Sequence, residues 1–77
     1  MTVQELADRL RETASVPDGT KVVRIHLFGI KYAKELENVS IAEVVARAEI
    51  NEPYKTEIAK GRNLAPYVKL LDENIIP

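Results

Sequence analysis

The sequence predicts an all-α fold, a small bundle of about five helices. Three observations carry that prediction. Apolar residues recur at helical spacing, as in Val3, Leu6, Ala7 and Leu10. Capping-box pairs stand ahead of two such runs, Thr2 with Glu5 and Ser40 with Glu43. The one segment that alternates like a strand has no second strand to pair with, and unpaired backbone groups are costly. With 77 residues, three glycines and 30% charged residues, the chain fits one small helix-rich domain.

In chain order, the first helix is expected over 3–13, with Val3, Leu6, Ala7 and Leu10 on its inner face. Gln4, Asp8, Arg9, Arg11 and Glu12 make up the solvated face. Val16-Pro17-Asp18-Gly19-Thr20 is a turn by composition. The next segment is ambiguous. Val23, Ile25 and Leu27 alternate with Arg24 and His26, which suits a strand over 22–28. As a helix over 21–37 capped by Thr20, the segment gathers Val22, Ile25, Leu27, Phe28, Ile30, Ala33 and Leu36 on a broad apolar face. One long helix is expected, with a kink near Gly29 allowed. Gly29 lowers helix propensity by about 1 kcal/mol relative to alanine, which close approach of another helix would explain.

Ser40 to Gly61 reads as two short helices across a tight turn, a helix-turn-helix by its punctuation. The first is expected over 41–48, with Val44, Val45 and Ala48 inward. Asn51 is a good N-cap for the second, over 52–60, and Pro53 falls in its first turn, where a missing N–H costs little. Tyr54 and Ile58 share a face, and Gly61 stands where a left-handed residue would end the helix. A fifth helix is expected over 64–71, with Pro66 in its first turn, followed by a tail over 72–77 in which Ile75 and Ile76 can dock on the core. Tyr32 and Tyr67 look like half-buried anchors with wet hydroxyls.

Composition narrows function mainly by exclusion. There is no cysteine and one histidine, so no disulfide frame, thiolate zinc site or multi-histidine metal site is expected within one chain. No cofactor is implied. No apolar run approaches the eighteen or so residues that cross a bilayer, and the start lacks a basic segment followed by an apolar one. A cytoplasmic protein with no membrane partner is expected. His26 lies in an apolar stretch and has no catalytic pattern around it, so no enzyme is expected. The net charge of −1 gives no global pull toward nucleic acid. Its distribution is uneven. Residues 1–20 carry Glu5, Asp8, Glu12 and Asp18 against Arg9 and Arg11, whereas 51–69 carry Lys55, Lys60, Arg62 and Lys69 against Glu52 and Glu57. A basic bias around the second motif helix suits a phosphate backbone, and equally describes an ordinary solvated face.

Residues 30–61 resemble the helix-turn-helix of the lambda-repressor and Cro-like DNA-binding domains. Leu36, Asn38-Val39, Ser40, Val44-Val45, Ala48, Glu49-Ile50, Asn51, Ile58 and Gly61 fall at the places of that pattern. Three positions depart from it. Glu49 stands where glycine is usual, Ile41 replaces a common glutamine, and Lys55 takes the place of a buried aliphatic residue, which Tyr54 can fill.

The resemblance implies a DNA-binding, transcription-regulating protein of bacterial or phage type that occupies double-stranded DNA without chemistry. Its second motif helix would enter the major groove. Glu52, Lys55, Thr56 and, further along, Ala59 would reach bases, while Asn51 and nearby free N–H groups would meet a phosphate. Lys60, Arg62 and Asn63 would hold the backbone, with Glu57 pairing with Lys60. The alternative is a protein-interaction or dimerisation module that keeps the fold without binding DNA. A homodimer through Val3, Leu6 and Leu10 would serve either reading, and the same residues could instead close the domain's own core.

Overall fold

Thr2 and Glu5 start the first helix as their spacing requires. The Thr2 hydroxyl accepts from the Glu5 N–H at 3.1 Å, and the Glu5 carboxylate accepts from the Thr2 N–H at 2.9 Å. These bonds hold the Glu5 carboxyl below its ordinary range. The computed structural model describes residues 1–17 and 19–77, so Asp18 of the expected turn lies outside the described residues. Among them are five α-helices and no strand: α1 Val3–Ala14, α2 Lys21–Lys31, α3 Ala33–Leu36, α4 Ile41–Ala48 and α5 Tyr54–Leu64. The ambiguous segment 22–28 is helical.

Two helix pairs build the bundle. α2 lies along α5 in the most extensive contact of the fold, α1 packs on α4, and α1 also touches α2. Leu6, Leu10, Ile25, Phe28, Leu36 and Ile58 are wholly buried where the pairs meet. Leu6 and Leu10 thus close the domain's own core and are unavailable to a second copy. Thr13 is buried too, and its hydroxyl donates to the Arg9 carbonyl at 2.7 Å, so among the described residues no buried side-chain polar atom is stranded.

The expected helix over 21–37 is divided at Tyr32, whose backbone (φ −106°, ψ 23°) leaves the helical region. A straight helix of that length would run about 25 Å, whereas its partner α5 spans about 16 Å. Turning at Tyr32 brings Leu36 back onto the core instead of carrying it past the partner's end. Gly29 stays inside α2, and the reason expected for it holds. A Cβ on Gly29 would lie 2.4 Å from the Ile58 carbonyl oxygen of α5, and one on Gly61 would lie 2.2 Å from that of His26. The two glycines face each other where α2 and α5 cross.

Gly61 is therefore a packing residue within α5, and the expectation that it ends the helix is corrected. No glycine has a positive φ. α5 continues to Leu64 and stops ahead of Pro66, which cannot donate to the ladder; Ala65 between them keeps helical backbone (φ −52°, ψ −36°). Pro66 terminates one helix and starts no other. The fifth helix expected over 64–71 does not form: 65–67 is a turn, 68–70 is irregular, and Leu64, Val68 and Leu71 remain exposed. Tyr67 is 84% exposed and anchors nothing. Tyr32 is buried, stacks on Phe28 with ring centroids 4.9 Å apart, and donates its hydroxyl to the Pro77 carbonyl.

The tail docks through one of its two isoleucines. Ile76 is 3% exposed against the core, whereas Ile75 is half exposed. Lys31 Nζ donates to the carbonyls of Glu73, Ile76 and Pro77 at 2.6, 3.0 and 3.3 Å, and Arg9 adds a bond to Pro77 at 3.1 Å.

Candidate nucleic-acid interface

Ser40 caps α4, its hydroxyl accepting from the Glu43 N–H at 3.3 Å. Glu43 does not return the bond. Its carboxylate takes Arg47 one turn on, at 2.9 Å. α4 ends on Glu49, which adopts the left-handed conformation (φ 60°, ψ 36°) that glycine more often supplies. The Arg11 guanidinium of α1 donates to the Ala48 and Arg47 carbonyls at 3.2 and 2.8 Å. A cation on the open carbonyl end of a helix is favourable. Arg11 thus pins the turn of the motif to α1, a role its assignment to the solvated face did not foresee.

The start of α5 differs from expectation. Asn51 is not its cap. Pro53 holds that position, in helical backbone and without a side-chain cap bond. The amides of Tyr54, Lys55 and Thr56 donate to the carbonyls of Asn51, Glu52 and Pro53 at 3.0, 3.0 and 3.2 Å. Those three donors are spent within the turn and are not free for a phosphate, as had been expected of N–H groups near Asn51.

The outward side of α5 is defined by what its inward side buries. Ile58 and Gly61 face α2 and the core. At about 100° per residue, Thr56, Lys60 and Asn63 line up on the opposite side. All three are exposed, as are Asn51 and Glu52 in the turn before them. Lys55 and Arg62 share one flank and are half-buried, while Glu57 occupies the other. The seven residues expected to meet DNA thus form a stripe with a flank, not one converging patch. Lys69 is elsewhere, beside an apolar groove near Leu27 and Ile30.

Electrostatics temper the stripe. Lys55 is bound by Glu52 at 2.8 Å and Lys60 by Glu57 at 3.2 Å. Glu52 is held below its ordinary range by the Lys55 hydrogen bond and charge. Glu57 is lowered first by a short hydrogen bond to His26 Nε2 of α2, then by Lys60. Glu49, Glu52 and Glu57 balance Lys55, Lys60 and Arg62 over the turn and α5. These pairs are exposed, and such pairs contribute little to stability. Lysine can exchange them for a phosphate oxygen.

Two neighbours of α5 were not identified from local spacing. His26 joins Glu57 across the α2–α5 crossing, and Lys21 Nζ sits 5.0 Å from the Tyr54 ring centroid, where it brings a further cation to the start of α5. Both come from a distant segment.

No curated protein and no solved structure matches the chain. One family model does match, over residues 2–71, which takes in α1 through α5 and the segment beyond. Its description agrees with the α4–turn–α5 unit. The chain belongs to the HTH-like domain family.

Proposed function

We propose that this domain binds double-stranded DNA as a transcription regulator, by occupancy and without chemistry, with α5 in the major groove. The observation that carries the reading is the outward stripe of Thr56, Lys60 and Asn63, left uncovered on the second helix of a helix-turn-helix. Thr56 can touch a thymine methyl, and lysine and asparagine suit base edges or phosphates. Lys55, Arg62 and Lys21 flank the stripe as phosphate contacts that set register without reading sequence. The lambda-repressor-like arrangement remains the best guide to docking, with Glu49 in the glycine conformation at the turn. The ion pairs of Lys55 and Lys60 would open on binding, and affinity should fall with salt because phosphate contacts release counterions.

A residue-by-residue NMR titration with a mixed-sequence duplex tests this at low and moderate salt. Shifts confined to 51–63 that fade as salt rises are the expected result, because released counterions drive such binding. K60A should lower the log–log salt slope by roughly one, uniformly across sequences. A spectrum untouched by duplex at low salt would overturn the reading. The second reading, an interaction module that keeps the fold without DNA, is favoured by the balanced charge of the turn and α5.

A further inference from the structure

An uncovered apolar surface lies between α2 and the segment after α5. Val23, Leu27 and Ile30 line one side of α2, at spacings of four and three. The segment after α5 runs beside them without forming a helix, leaving an open groove of about 300 Å³ between Leu27, Ile30, Leu64, Val68 and Ile75. Leu71 stands at the groove fully exposed, and Val23 is 57% exposed. We propose that this face is the interface with a second copy of the chain, related by a two-fold axis.

Three observations select a second copy as the occupant. A two-fold contact must be self-complementary, and this face holds both a groove and, on the groove's own rim, the fully exposed side chain of Leu71. Its charges are also self-complementary. Lys69, Asp72 and Glu73 are exposed beside the groove, and among the described residues none joins an ion pair within the chain. A two-fold can set Lys69 of one copy against Asp72 or Glu73 of the other. The scale agrees as well. The exposed parts of Val23, Leu64, Val68, Leu71 and Ile75 amount to roughly 500 Å², close to the apolar share of the ~800 Å² that each partner contributes to a standard interface. This inference goes beyond the DNA reading and does not depend on it, since the contact is argued from α2 and the segment after α5 and not from Thr56, Lys60 or Asn63.

Sedimentation equilibrium across about 1–200 µM protein tests the proposal. Wild type should weigh twice 8.6 kDa at the upper end and dissociate on dilution. L71D removes the exposed side chain at no cost to the monomer core. It should raise the dimer dissociation constant by about tenfold or more with an unchanged circular dichroism spectrum. K69E and E73K should each weaken association alone, and a mixture of the two should restore it. An 8.6 kDa species at every concentration, or L71D pairing as tightly as wild type, would overturn the proposal.

Discussion

Glu49 shows how one residue sets the turn on which the motif depends. Its left-handed backbone turns the next amide, Ile50 N–H, back to the Val45 carbonyl at 3.5 Å and sends the chain toward α5. A side chain in this region costs on the order of 1 kcal/mol, because Cβ crowds the following carbonyl oxygen. Its 3.7 Å contact with Arg11 is exposed and returns little. E49G should therefore raise stability by roughly 0.5–1 kcal/mol after the added freedom of the unfolded chain is counted. In a domain of this size that is a rise of about 2–8 °C in a thermal melt. A lower midpoint would mean that the glutamate side chain holds the turn in some other way. The departure from glycine was legible in the sequence; the left-handed backbone kept at Glu49 was not. The Arg11 clamp was not, because it joins residues 36 and 37 positions apart.

At the scale of elements, the crossing of α2 and α5 governs the fold. Helix propensity argues for alanine at both Gly29 and Gly61, by about 1 kcal/mol each. The packing reverses that preference, since each Cβ would fall within 2.4 Å of a backbone carbonyl that cannot move without its helix. G61A should destabilise by about 3 kcal/mol, toward the upper end of overpacking costs. G19A should be nearly neutral, because nothing lies within 4 Å of a Cβ there. Urea unfolding of the two variants checks the contrast, and a neutral G61A would show that the helices can slide apart cheaply. Gly29 announced the close approach because it interrupts a helical pattern. Gly61 misled because a glycine after a helical run is more often a stop, and local spacing cannot tell a stop from a contact. Pro66 misled in the same way, as a proline suits both the first turn of a new helix and the residue after an old one.

For the whole molecule, closure comes from the last residues. Ile76 is buried against the core, and Lys31, Tyr32 and Arg9 together hold the carbonyls around it. I76A should cost about 2–4 kcal/mol, the range for a truncated core isoleucine. For so small a domain that is a large part of its stability, and it should appear as a lower unfolding midpoint with little change in the folded spectrum. If I76A melts like wild type, the tail is not part of the core. The sequence by itself determined the all-α class, the caps at Thr2 and Ser40, the inward faces of α1 and α4, and the motif in the family's sense. These follow from contacts within four residues, which the chain carries wherever it folds. Tertiary structure alone decided the break at Tyr32, the continuation of α5 through Gly61, and the neighbours His26 and Lys21 around α5. Each depends on which surfaces meet across more than ten residues of chain, and burial there outweighs the propensity of any one segment.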